Sequence, residues 1–327
     1  MKFALIVTVA AACLTLAGVV GAADKNPGNL KMALVAMKCE YSNSADAAAN
    51  MKNIQANITR HLYFIDKAAA EGAEFVGFPE ASLNGYKYGD SMTWLKLDGP
   101  EVQALAKKAA EKGVYVSAGM AEIDAAGKKW ETQFLLGPDG KLIGAYHKIW
   151  LTAERGSDKK PLIQSGTEHP VFDVKGVKFG IIICADGTDF NNLKALADKG
   201  AKIIYGAHAN TTGGTIAKWY NFRARWAGPA DATMEQQTTN NDGPKADAPK
   251  GGWCALLKVY GAIHNHAGLY NPEFNPPVPA DKDKNIGFAS GARFIGPDGK
   301  VLAEMPSSTN KADSKEFMLV YNVPIGK

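Results

Sequence analysis

Five short apolar runs constrain this chain more than any other feature: LKMALVAM at 30–37, EFVGF at 74–78, VYVSAGMAEI at 114–123, VKFGIIIC at 177–184 and AKIIYGAHA at 201–209. Each has strand length and ends in polar or turn-forming residues. The segments between them have a helical period. Residues 46 to 71 place Met51, Ile54, Ile58, Leu62 and Ile65 three and four apart, so one face of a long helix is apolar. Residues 100 to 113 predict a second helix closed by Gly113, and 190 to 200 and 215 to 227 predict two more. ALLKVYGAIHNHAG, at 255–268, reads as a further buried strand.

Hairpins interrupt this alternation. In KWETQFLLGPDGKLIGAYHK two strand-like runs flank Gly137-Pro138-Asp139-Gly140, where proline presets φ and glycine supplies a positive φ. The same GPDGK returns at 296–300 between GARFI and KVLAEM. No fixed period links the surroundings, so the repeat is read as two hairpins rather than a duplicated domain. Strands alternating with helices, plus hairpins, imply an α/β fold in which mixed sheets are covered by helices. Residues 228–252 and 271–285, rich in Pro, Gly, Asp and Lys, read as surface insertions on a single domain spanning 23–327.

The first 23 residues, MKFALIVTVAAACLTLAGVVGAA, carry Lys2, an apolar run and a small-residue exit. That is the layout of a secretory signal peptide over 1–22, which predicts a secreted or periplasmic protein with no membrane attachment after cleavage. A retained anchor competes with it, because the run from Phe3 to Val20 approaches spanning length. Loss of Lys2 lowers the formal net charge of +4 by one. The remaining charge is dispersed, with no basic cluster or stripe, which excludes nucleic acid as the expected partner. Cys39, Cys184 and Cys254 are too few for a disulfide framework, and an odd number leaves at least one thiol without an intrachain partner.

Common catalytic motifs are absent: there is no GxSxG, no GxxxxGK[ST], no CxxC and no HExxH, so no metal or other cofactor is expected. His264 and His266 lack further ligands and read as hydrogen-bonding residues. What remains is three chemically useful groups at the ends of apolar runs: Glu80 after EFVGFP, Lys148 after GAYH with Glu154 six residues on, and Cys184 after GIII. Singly, these fit a solvated carboxylate, a surface lysine and a core cysteine. Together they suit one chemistry. A thiol attacks a carbonyl or nitrile carbon if a base takes its proton or a cation stabilises the thiolate. A buried carboxylate can be that base, and an ammonium can steady the oxyanion of a tetrahedral intermediate. The abrupt exit Ala185-Asp186-Gly187 would leave a backbone N–H free to assist.

FPE at 78–80, the YHK…L…E run from Tyr146 to Glu154 and IIICADG at 181–187, in this order, resemble the Glu–Lys–Cys signature of the nitrilase superfamily of carbon–nitrogen hydrolases. SLNGY at 82–86 and GFASGARFIGPDGKVLAE at 287–304 fall where that family places similar segments. The resemblance implies a four-layer αββα sandwich, assembled as a homodimer or larger even oligomer. It implies Cys184 as nucleophile, Glu80 as general base, Lys148 as stabiliser of the tetrahedral intermediate with the Ala185 amide assisting, and Glu154 as the second glutamate that orients the lysine or the substrate. Tyr86, Trp150 and Asn210 are further candidates for contact with a small-molecule substrate, since they lie close in sequence to the three strand ends. The ADG after the cysteine differs from the CWE of nitrilases and is similar to the CxDG of aliphatic amidases and formamidases, which implies an amide substrate. Nitriles and N-carbamoyl compounds suit the same three residues, and an inactive ligand-binding member is the alternative from another class. The segment WYNFRARWAGPADATMEQQ, at 219–237, departs from the family pattern.

Overall fold

In the computed structural model, which describes residues 28–86, 88–152, 154, 156–209, 252–269, 287–305 and 315–326, the first amphipathic stretch forms helix α1 (Ala47–Ala70). Asp46 caps it, accepting from the amides of Ala48 and Ala49, the usual way to satisfy donors that have no partner within the helix. Helix α2 (Pro100–Lys112) begins with proline and stops at Gly113, whose φ of 65° is left-handed and suits glycine. Together α1 and α2 cover one face of a six-stranded sheet. Its strands are β1 (Asn29–Ala36), β2 (Phe75–Gly77), β3 (Tyr115–Ile123), β4 (Lys129–Leu136) and β5 (Leu142–His147), with β14 (Phe317–Pro324) added antiparallel to β1 at the edge. β1, β2 and β3 run parallel.

The second six-stranded sheet has the same plan. Parallel β7 (Val177–Ile183), β8 (Ile203–His208) and β9 (Tyr260–Asn265) lie at its centre. Antiparallel β6 (Val171–Val174) borders β7, and the hairpin of β12 (Ala292–Ile295) and β13 (Val301–Met305) follows β9. Each GPDGK turn closes a hairpin, and the two hairpins occupy equivalent places in the two sheets. Helices α3 (Phe190–Asp198) and α4 (Gly252–Leu257) cover this sheet, and β10 (Ala267–Leu269) pairs with β11 (Gly287–Ala289) beside it.

The period of two decides the layering. On β1, Leu30, Met32 and Leu34 point into a core between the sheets, where they join Phe179, Ile181 and Ile183 of β7 and Ile203 and Tyr205 of β8. Ala33 and Val35 point the other way, into the core under α1 and α2 with Ile54, Ile58 and Leu105. Ile182 and Ile204 likewise face α3 and α4. The order is therefore helices, sheet, sheet, helices, a four-layer αββα sandwich. A strand apolar on both faces fits only such an interior, each large side chain contributing roughly 1.5–3 kcal/mol on burial.

Two expectations are corrected. ALLKVYGAIHNHAG is not one strand, because its first residues belong to α4. Trp253, Cys254 and Leu257 pack on the second sheet while Leu256 is exposed, a helical spacing that a strand of these letters would not give. The run 177–184 stops as a strand at Ile183, and Cys184 begins a 3-10 turn. Residues 1–22, Asn210, the helix expected at 215–227 and both expected insertions, apart from Gly252, lie outside the described residues. Among the described residues no helix is long and apolar enough to cross a membrane, and Cys39, Cys184 and Cys254 are free thiols, so Cys39 and Cys254 do not pair.

Candidate functional site

The carboxyl ends of the parallel strands meet at one end of the sandwich, the place where open α/β sheets leave room for a ligand. Glu80 sits on the loop after β2, and both sheets hold that loop. Tyr205 Oη, from β8, lies 2.7 Å from the carbonyl oxygen of Phe78 and 2.7 Å from His264 Nε2. Gln133 Nε2 donates to the same carbonyl, and His266 Nε2 donates to the Glu80 carbonyl at 2.6 Å. His264 and His266 thus act as hydrogen-bonding residues. Beneath the loop lies Gly119, where a Cβ would come within 2.3 Å of the Ala81 amide nitrogen. Only glycine lets the loop descend this far.

Lys148 follows β5 directly and is paired across the hairpin with Glu131, whose carbonyl accepts its amide at 2.9 Å. Its side chain turns into the protein and is fully buried. Nζ bonds Glu80 Oε1 at 2.5 Å, Glu154 Oε1 at 2.5 Å and Glu131 Oε2 at 3.0 Å, all three carboxyls being buried as well. Sequence reasoning anticipated Glu80, Lys148 and Glu154 but not Glu131. Glu154 is the best satisfied: Oε1 also accepts from Tyr86 Oη at 3.0 Å, and Oε2 from the Thr152 amide at 2.5 Å. Glu80 Oε2 and Glu131 Oε1 are buried, with no donor among the described residues.

Cys184 leaves β7 with φ of 43°, a left-handed conformation that costs a residue with a Cβ on the order of 1–3 kcal/mol. This kink turns the thiol out of the sheet. Asp186 fixes the turn: Oδ1 accepts from the amides of Ile149 and Trp150, and Oδ2 from the Tyr146 hydroxyl and the Ile183 amide. One buried carboxylate therefore ties the exit of β7 to the exit of β5. Ala185 is buried in the first part of the turn, where a backbone N–H has no partner within the helix. Trp150 enters this arrangement through its amide. Tyr86 comes close with its ring as well as its hydroxyl, the ring centre lying 5.4 Å from Lys148 Nζ. Tyr88, which sequence reasoning passed over, is buried against Tyr86, and its hydroxyl has no partner among the described residues.

The electrostatics follow from burial and this one cation. Burial alone would lower the Lys148 pKa, but Glu131, Glu80 and Glu154 together push it well above the usual lysine range. Burial would raise Glu154, yet Lys148 brings it down to about 2. Glu131 goes the other way: burial and the neighbouring Glu80 drive it well above the carboxylate range. Burial, with Glu80 next, also raises the Cys184 thiol, against the opposing pull of Lys148 and a backbone hydrogen bond from Ala209. Burial thus holds the Cys184 thiol in its neutral form. Burial lifts Asp186 to about 7. The ligating oxygens of Glu80, Glu131 and Glu154 lie within 4.8 Å of one another, a spacing that would suit a hard cation, but the Lys148 ammonium already bonds all three.

Residues 31–313 match the family model described as carbon-nitrogen hydrolase. Omega-amidase NIT2 of Homo sapiens is 32% identical over 166 residues, covering 48% of this chain and 60% of that protein. Glutamine-dependent NAD(+) synthetase of Acinetobacter baylyi is 27% identical over 153 residues, 47% of this chain and 28% of that protein. The chain thus spans less than two thirds of the length of each of these relatives, 60% of the first and 28% of the second. Among solved structures, an amidase from Nesterenkonia sp. superposes with a TM-score of 0.65 at 16% identity, covering 91% of this chain and 92% of that one. Nit3 of Saccharomyces cerevisiae gives 0.62 at 19% identity, covering 91% and 90%. At these identities the superpositions establish the sandwich.

Proposed function

Since this chain belongs to the carbon-nitrogen hydrolase family, we propose that it is an amidase that cleaves small non-peptide amides through a thioester on Cys184. The observation that carries the reading is the Lys148 ammonium bonded to three buried carboxyls at the strand ends where the neutral Cys184 thiol emerges. In this mechanism Glu80 takes the thiol proton as sulfur attacks the amide carbon. Lys148 and the Ala185 amide donate to the oxyanion, a contribution of about 3 kcal/mol per donor in comparable sites. Collapse expels ammonia or an amine, which receives the proton from Glu80. Glu80 then deprotonates a water molecule that attacks the thioester, releasing the carboxylic acid and restoring the thiol. Glu154, held by Tyr86 and the Thr152 amide, fixes the lysine in place.

The amide preference rests on the CADG turn, and the similarity to omega-amidase NIT2 and the Nesterenkonia amidase points the same way. A secreted or periplasmic location is part of the same reading, supported by the composition of residues 1–22, and so is an even homo-oligomer; N-terminal sequencing of the mature protein and light scattering check these. The enzymatic test is ammonia release from a panel of short amides, nitriles and carbamoyl compounds. Cys184→Ala should abolish release from amides while its circular dichroism matches wild type. Activity retained in that variant, or release from nitriles alone, overturns the proposal.

A further inference from the structure

Charge does not balance at the centre of the site. One ammonium faces three carboxyls, all without exposure to solvent. With every group ionised, two negative charges would be buried uncompensated, which interiors do not tolerate; a carboxyl takes up a proton instead. The hydrogen bonds show where that proton belongs. Glu154 accepts from Lys148, Tyr86 and the Thr152 amide and is satisfied as an anion. Among the described residues Glu80 and Glu131 each accept from Lys148 alone and each leave one oxygen without a donor, but Glu131 is the farther from the ammonium, 3.0 against 2.5 Å, and so the less compensated of the two. Oxygens of the three carboxyls lie within 4.8 Å of one another, and like charges this close in a buried site favour a proton on one of them.

We propose that Glu131 is a positioning residue that holds this proton through the resting state and donates it as a hydrogen bond within the carboxyl cluster, leaving Glu80 free to act as the ionised base. The inference rests on the amidase reading for the role of Glu80, but not for the location of the proton. The raised pKa of Glu131 agrees with it. The charged and titratable groups facing Glu131 are Glu80 from the loop after β2, Lys148 at the end of β5, Glu154, Tyr86 and Tyr88, and the Cys184 thiol. Ionising Glu131 at alkaline pH would place a second uncompensated anion near the sulfur and oppose formation of the thiolate. An alkaline fall in turnover follows, with Glu131 as its source.

Glu131→Gln tests this, because an amide donates hydrogen bonds as the protonated acid does but cannot ionise. Its kcat/KM near neutrality should stay within about tenfold of wild type, well short of the 10²–10⁴ carried by a general base, while the alkaline fall disappears. Infrared spectroscopy supplies a readout independent of turnover: in an Asp186→Asn background, which removes the other carboxyl that burial lifts to about 7, the C=O stretch of a protonated carboxyl should be present at neutral pH and disappear when Glu131→Gln is added. A pH profile of Glu131→Gln that superposes on wild type, or a protonated-carboxyl band that survives in the Asp186→Asn/Glu131→Gln double variant, overturns the proposal. If wild type hydrolyses no amide, the amidase reading fails, and the infrared band still decides where the proton resides.

Discussion

Replacing Lys148 by methionine keeps the length of the side chain and removes the charge that three buried carboxyls share. Removing one partner of a buried ion pair typically costs about 3–5 kcal/mol, since the other charge is left uncompensated. For a chain of 327 residues, an unfolding entropy of about 2 cal/mol/K per residue turns this into a Tm loss of roughly 5–8 °C. The pH dependence is more diagnostic than the loss itself. In wild type Glu154 is depressed from 4.5 to about 2, so its contribution to stability is present above 4.5 and is lost as the pH falls toward 2. Without Lys148, burial becomes the dominant influence and Glu154 shifts upward; its folded state then favours the proton, and stability is lost as the pH rises. The gap in Tm between wild type and Lys148→Met should therefore be wide at pH 7.5 and narrow at pH 5. Thermal unfolding followed by circular dichroism measures both gaps, and a gap that is equal or wider at pH 5 refutes the assignment of Lys148 as the neutralising charge.

Two further substitutions probe how the site is held. Gly119→Ala puts a Cβ 2.3 Å from the Ala81 amide nitrogen and should lift the Glu80 loop, costing about 1–3 kcal/mol of stability and more than tenfold in kcat; an active, equally stable variant would show that the loop has room to move. Asp186→Asn presents an NH2 group where Oδ2 now accepts from Tyr146 and Ile183, so kcat should fall while KM changes little. The same variant has a stability signature. Asp186 is raised from 3.8 to about 7, so its contribution is present below 3.8 and is lost as the pH rises through 7, a change on the order of 4 kcal/mol that Asp186→Asn should remove from the pH dependence of Tm.

Which parts of the site could be read from the sequence depended on how each residue is placed. Glu80, Lys148 and Cys184 stand where an apolar run ends, so the pattern that announces the strand also announces the residue. Glu131 lies inside β4 and reaches the site only through its pairing with Lys148. Counting back from the GPDGK turn could have found it, except that the register shifts by one at the bulge between Leu135 and Leu136. Asp186 was visible as part of the exit after the cysteine, but its four donors come from two strand ends 30 or more residues apart, which no local pattern encodes. The helix α4 was misread because Ala255 to Lys258 continue into a true strand with no change of composition, and only the spacing of buried residues separates the two.

The site is built so that no single element carries it. The Glu80 loop belongs to the first sheet yet hangs from Tyr205 and His266 of the second half of the chain, and Asp186, after a strand of the second sheet, holds the amides that follow Lys148 in the first. Each sheet therefore positions a group the other must meet, and the core between them sets the distance. That explains why this core is filled with large side chains on strands buried on both faces: the rings of Phe75, Phe179 and Tyr205 pack on one another there, Phe179 stacked on Tyr205 and Phe75 edge-on to it, and Gly77 is bare because a Cβ would lie 2.6 Å from the Tyr205 ring. A close-packed interior resists compression and sliding. The buried ammonium and its carboxyls are costly to assemble, and the rigid sheet-to-sheet contact is what keeps them within hydrogen-bonding distance once they are assembled.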